Sequence, residues 1–495
     1  MKNAFGESVL TTVRRADERL TRRALAMGLA FAALLAALTA AYNMTGGLLC
    51  NLNDIGSYRN RVLFTAMTAG AHLLLLAAAA LLYRKSALRL LLRQVILTAG
   101  FQIMLFAINQ KTFAYVQQLQ PIVRAMDTLA LSAIAGAKTS LSAPALTLLY
   151  LITRGPVYDM YLVKLFAIAC DMLLALIVMR AADMRCMGWR AETALALCLI
   201  LPQGFMAAAC AAMIDHAAVL LLALSLCLCT GWLGGRERPL AGALCFGGAA
   251  ALSGLALCAL PAFALLILKG KMKPAHLLFA ALLALMCCVP AALSGVPAGE
   301  AFGSLLRANL CVPEFASGAP NLTNLFPRAA VEEMPGYFML GHMPEIDTLT
   351  NAQPYYTQEH MEIAMRSLAL LCLALLLGVW ALALRIKEMS ALRRALALTL
   401  GALMLCPGAS AGAWLAADML CVLALLEEPG LRLPACLTLF ATMCACAYPV
   451  TGEVLLPMIL ATAMCGAALL MLLGVFPTPG MLHGAMPHGE GEARG

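Results

Sequence analysis

Charge is what this chain has little of. Only 12% of its 495 residues are Asp, Glu, Lys or Arg, and aromatic residues make up 6%. A soluble chain of this length carries about a quarter charged residues to cover its surface. Two recognisable catalytic signatures are missing as well: no GxxxxGK[ST] or HExxH stretch occurs. The histidines, His72, His216, His276, His342, His360, His483 and His488, do not pair at metal-ligand helical spacing. P-loop and zinc-enzyme readings therefore have no motif to stand on. No Cys-x-x-Cys pair exists among the 19 cysteines. All of them except Cys50, Cys186 and Cys311 lie in apolar segments, where Cys behaves as a small hydrophobe. The cysteines read as packing residues, not as a disulfide framework or a zinc site.

What the chain has in excess is apolar length. Hydrophobic residues make up 62%, the mean hydropathy is +0.86, and runs near the ~20 residues that cross a bilayer recur throughout. The expected fold is all-α, a polytopic transmembrane bundle. Spans are expected near 24–43, 62–82, 94–109, 158–179, 191–210, 217–233, 239–254, 255–268 and 275–294. Five more are expected near 364–384, 395–408, 411–426, 433–448 and 453–474, about fourteen in all.

The net charge of +8 is distributed as a topology signal. Arg14, Arg15, Arg19, Arg22 and Arg23 precede the first span, and Arg84, Lys85, Arg89 and Arg93 follow the second. Lys269, Lys271 and Lys273, then Arg385, Lys387, Arg393 and Arg394, repeat the pattern. Short basic loops of this kind face the cytoplasm; they orient the chain and give no reason to expect nucleic acid as a partner. Both termini are then cytoplasmic, with the lipid bilayer as the surroundings. The short apolar piece "SAPALTLLYLITRG", 142–155, covers roughly half a bilayer. It reads as an outer interfacial or re-entrant helix, because counting it as a span puts Arg180, Arg185 and Arg190 outside.

Four regions follow. Residues 1–93 form a cytoplasmic segment and a transmembrane hairpin, and 94–294 a transmembrane core with a first outer loop at 110–157. Residues 295–363 are a long outer-face loop, and 364–495 the C-terminal helices with a short cytoplasmic tail. The sequon Asn321-Leu322-Thr323 in the long loop reads as coincidence. "CFGGAAALSG", 245–254, has a helix-packing composition.

Polar residues inside apolar runs are the candidates for function. "LPQGFMAAACAAMIDHAAVLLLALSLCLC", 201–229, is interrupted by Asp215–His216, which reads as an outer membrane surface between two spans. Asp171 and Asp418 fall within apolar runs, where a carboxylate costs at least about 2.5–3.5 kcal/mol, so each is expected to face the bundle. Lys164 lies seven positions before Asp171, about 10 Å along a helix, too far to bond it. For Asp171 both a structural polar contact and a proton relay stay open.

The order "TFAYVQQLQP", "APALTLLYLI", "YLVKLFAIACDMLLALIVMRAADMR", then "LCLILPQGFMAAACAAMIDHAAVLLLAL" and "GAPNLTNLF" resembles the membrane glycosyltransferases of GT-C architecture. It is most similar to bacterial relatives of the second GPI-anchor mannosyltransferase, over roughly 94–330. Asp215 falls on the aspartate of that family's Trp-Gly-Gln-x-Asp segment, whose first three positions are Ala211, Ala212 and Met213 here. The loop acid before "TFAYVQQLQP" is replaced around Gln110 and Lys111. The resemblance implies transfer of a hexose, such as mannose, from a polyprenyl-phosphate sugar to a glycan, lipid or protein acceptor at the outer face of a bacterial plasma membrane. It implies catalytic roles for Asp215 and, in place of the missing loop acid, Asp127 or Asp54, of which Asp127 is the better placed because it lies in the same loop. Lys111, Arg124, Lys138, Arg154 and His216 become the candidate substrate-binding residues. It demands no cofactor, allows a divalent metal, and supplies no metal ligand set. A non-catalytic lipid-binding or assembly protein of the same architecture and a secondary transporter are the alternatives.

Overall fold

A computed structural model describes residues 58–82, 87–108, 112, 119–128, 141–154, 159–184, 189–205, 208, 215–231 and 236–310, and scattered positions between 22 and 37. It continues with 319–322, 358–386, 389–406, 409, 411–447 and 455–476. The described chain is helical, without strands. The helices are α1 (Tyr58–Leu82), α2 (Ala87–Ala107), α3 (Gln120–Thr128), α4 (Ala143–Thr153), α5 (Asp159–Met184) and α6 (Arg190–Ile200). They continue with α7 (Asp215–Thr230), α8 (Pro239–Leu252), α9 (Leu260–Leu268), α10 (Pro274–Met286), α11 (Val289–Leu293) and α12 (Ala298–Leu310). The last are α13 (Gln358–Arg385), α14 (Ala391–Leu405), α15 (Leu415–Glu427), α16 (Arg432–Ala445) and α17 (Met458–Leu473).

Among the described residues, two stretches are long and apolar enough to cross a membrane, Met160–Met184 and Pro274–Leu293; eight shorter apolar helices accompany them. The two occupy opposite environments. α5 is the central post, packed by α1, α2, α4, α6, α7 and α15. α10 lies at the edge, where Leu278, Phe279, Leu282, Leu285 and Met286 are exposed. α13 likewise exposes Leu370, Leu371, Leu373, Leu375 and Leu377. Apolar faces of this extent suit a lipid surrounding.

The main core joins α1, α2, α5, α6 and α14–α17. A second apolar cluster is built from α7, α8, α9 and α10 around Phe246 and Phe263, whose rings lie 4.3 Å apart. Close backbone approach makes this cluster. A Cβ on Gly247 would meet the Ala280 carbonyl oxygen at 2.3 Å, and one on Gly242 would meet Cys229 Sγ at the same distance. The small-residue stretch 245–254 is therefore a helix-packing surface.

Helices break where the sequence provides a reason. α6 stops at Leu201 because Pro202 has no N–H for the Cys198 carbonyl, and a single turn, Pro202–Phe205, follows. α8 ends at the extended Ser253 and leads into a 3₁₀ turn, Gly254–Ala259. α14 ends before Pro407, and a 3₁₀ turn, Ala411–Trp414, precedes α15. The expected single span 191–210 is thus two pieces, and 255–268 and 411–426 each begin with a 3₁₀ turn. The expected loop 295–363 contains a full helix, α12, and 110–157 contains α3 and α4. The expected first span, 24–43, lies largely outside the described residues.

One end of the bundle is fastened by charge. Arg93, with no exposed surface, donates to both carboxylate oxygens of Asp183 (2.9 and 3.0 Å) and to Glu192 (2.8 Å). At the same end Arg190 donates to the Leu426 carbonyl, Ser390 to Glu428, and Arg393 to the Leu472 carbonyl. These positions are the ones the sequence assigns to the cytoplasmic side. At the other end Ser142 donates to the Ala251 carbonyl (2.6 Å), and the Ala143 N–H to the Ser304 hydroxyl (2.9 Å). Asn321 donates to the Leu403 and Cys406 carbonyls (3.0 and 2.7 Å) at the C-terminus of α14, where the Cys406 carbonyl also accepts from the Ala409 N–H (3.1 Å). Its carboxamide has no exposed surface, so the sequon has no room for a glycan.

Candidate functional site

Asp171 is at the midpoint of the 26-residue α5 and has no exposed surface. His216, also fully buried, places Nδ1 4.0 Å from its Oδ1, an ion-pair distance too long for a hydrogen bond. Among the described residues, neither carboxylate oxygen of Asp171 and neither ring nitrogen of His216 has a hydrogen-bond partner. Gly204 closes the site from the broken helix: a Cβ there would lie 3.1 and 3.2 Å from the Asp171 oxygens and 3.3 Å from the Cys198 carbonyl.

The neighbouring residue reaches a second carboxylate. Gln203 donates to the Thr442 hydroxyl (2.5 Å), which donates in turn to Asp418 Oδ1 (2.8 Å). Gln203 Oε1 and Asp418 Oδ2 are buried without a partner. The single turn after Pro202 thus sits between two buried carboxylates, and α5, α7, α15 and α16 converge on it. Asp171 and Asp418 face the bundle, as their apolar surroundings require. Lys164 does not meet Asp171; it is buried and donates to the Ile108 carbonyl (2.9 Å) at the end of α2.

The depth of this centre corrects the surface reading of Asp215–His216. α7 begins beside the middle of α5, twelve residues or roughly 18 Å along the axis from Asp159. Asp215 is the half-buried first residue of that helix. α4 is capped by Ser142, packs on α5, and its 11 residues rise about 16 Å, close to half the length of α5. The piece 143–153 is therefore the short helix its length requires.

The other sequence-derived candidates separate. Arg124 and Asp127 both lie on α3, three positions apart and so on one face, and α3 packs against α4 and α5. Arg124 is exposed, and the side chain of Asp127 lies outside the described residues. Lys111 and Lys138 also lie outside them. Arg154 ends α4, exposed, its guanidinium 4.6 Å from the Tyr150 ring centroid and donating to the Tyr150 hydroxyl (2.9 Å). Among the described residues no group of three or more His, Cys, Asp or Glu side chains is arranged to hold a metal ion. Gln203, Gly204 and Thr442 escaped the sequence reading; the signals were Pro202 within an apolar run and Thr438–Thr442 one turn apart on α16.

Compared with known proteins, the chain matches no protein-family model, no curated protein and no solved structure.

Proposed function

We propose that the chain is a membrane glycosyltransferase of GT-C architecture that transfers a hexose from a polyprenyl-phosphate sugar to an acceptor at the outer face. In this reading about fourteen spans cross a bacterial plasma membrane and both termini are cytoplasmic. The supporting observation is the set of short helices α3, α4 and α12. α3 and α12 both pack on α4, and with the half-buried Asp215 at the start of α7 they follow the order of parts in the family resemblance.

Chemically, the acceptor oxygen attacks the anomeric carbon as the bond from that carbon to the phosphate oxygen breaks. Polyprenyl phosphate departs with the bonding pair, and the hydroxyl proton passes to a carboxylate. Asp127 on α3 is assigned the proton, and Asp215 orients the acceptor or sugar. Arg124, one turn from Asp127, and Arg154 at the end of α4 receive the phosphate, with Lys111 and Lys138 from the same loop. His216 is placed behind Asp215, held toward Asp171, and so positions the head of α7. No step is routed through a metal, because the described residues supply no ligand set for one.

The test is turnover of a polyprenyl-phosphate hexose by the purified protein, with donor binding measured alongside. Turnover supports the reading. Donor binding without turnover favours a lipid-binding or assembly protein. Single cysteines introduced at 130 and 340 should label from outside, and those at 236 and 390 should not.

One observation favours a second reading. Broken helices around unpartnered buried polar groups are the form of ion and substrate sites in secondary transporters. Solute accumulation in sealed vesicles without sugar-lipid turnover, abolished by Asp171→Asn and Asp418→Asn, would select that reading instead.

A further inference from the structure

We propose that Cys258 and Cys406 form a disulfide. Their sulfurs lie 3.2 Å apart although 148 residues separate them in sequence. A disulfide bond is about 2.05 Å long, so closure takes a relative movement of about 1 Å. Both residues occupy helix interruptions, where the backbone can give that distance. Cys258 is in the 3₁₀ turn between α8 and α9, and Cys406 follows α14 immediately before Pro407. Both are partly exposed, so an oxidant can reach them, whereas Cys198, Cys421 and Cys465 are fully buried.

Compartment chemistry favours the bond. The pair lies at the end of the bundle that carries Asn321, whose carboxamide holds the Cys406 carbonyl. In the proposed topology that end faces outside, where disulfides persist; the inference rests on this topological part of the proposed function and not on the transfer chemistry. The two thiols lose two protons and two electrons as the S–S bond forms. The disulfide of a thiol-oxidising protein at the outer face takes them up and becomes a dithiol. The product ties the turn between α8 and α9, part of the second apolar cluster, to α14 in the main core.

Thiol counting tests this on the full chain. Membranes are quenched with N-ethylmaleimide in denaturant, reduced, and then treated with a mass-distinct maleimide. Of the 19 cysteines, Cys258 and Cys406 should take the second label and no others should. Cys258→Ser and Cys406→Ser should each abolish the second label entirely, while Cys372→Ser, removing another buried thiol, should leave it unchanged. Labelling of every cysteine in the first step overturns the proposal, as does a reduction-dependent pair that survives Cys258→Ser. The count needs no sugar donor, so failure of transfer leaves it intact. Outside labelling at 130 with none at 236 separates a wrong pair from a wrong topology.

Discussion

Arg93 on α2 and Asp171 on α5 are both fully buried, on helices that pack together, yet their surroundings differ. Arg93 is enclosed by two carboxylates that share its donors. Asp171 faces a histidine at 4.0 Å, a glycine and a proline-broken helix, with no donor to its oxygens. A buried charge that is paired fixes geometry, at a desolvation cost repaid by its partners. A buried carboxylate left unpaired contributes no such stability and marks a place where a polar group serves another purpose. The Arg93 end is a fastening, and the Asp171 centre is a buried polar site without one.

The sharpest way to break this comparison is to remove the fastening. Arg93→Met leaves Asp183 and Glu192 buried without their cation and should cost about 3–5 kcal/mol, read as loss of monodisperse protein after heating. The triple replacement Arg93→Met, Asp183→Leu, Glu192→Leu should recover most of that loss. A neutral single variant would remove the distinction.

Packing gives the next effects. Gly247→Ala brings a methyl group against the Ala280 backbone and should cost about 1–3 kcal/mol in the same heating assay. Gly248→Ala, whose Cβ would meet only Leu221 Cδ1 at 3.4 Å, should be tolerated. Asn321→Leu strands the Leu403 carbonyl, while the Cys406 carbonyl keeps the Ala409 N–H, and should cost about 1–3 kcal/mol. The smallest effect belongs to the centre. Asp171→Asn keeps the side-chain shape and removes an uncompensated charge, so thermal survival should equal or exceed that of the parent. Destabilisation as large as that of Arg93→Met would place Asp171 among the fastenings.

The legible parts of this architecture were those set by local physics. The all-helical class follows from composition, and α4 appears at 143–153 because Ser142 and Pro144 start it and polar residues stop it. The inward orientation of Asp171 and Asp418 follows from the cost of exposing a carboxylate to lipid. What stayed hidden depends on distant partners. Arg93 reads as one more basic loop residue until Asp183 and Glu192, 90 and 99 positions away, are seen around it. Cys258 and Cys406 read as two packing cysteines for the same reason. Pro202 was visible, but the apolar run around it hid the break, and with it the depth at which Asp215 starts α7. The helix α12 was concealed by the polar composition of its segment, 295–363.

The central proposal is that chemistry occurs at Asp215, where α7 begins. Its most direct measurement is hexose transfer from a polyprenyl-phosphate donor by the purified protein and by Asp215→Asn, with thermal survival recorded for both. The account predicts turnover by the parent and a loss of about a hundredfold or more in the variant, at unchanged survival and nearly unchanged donor binding. Equal turnover by the two proteins, or a parent that binds the donor and never turns it over, would contradict it.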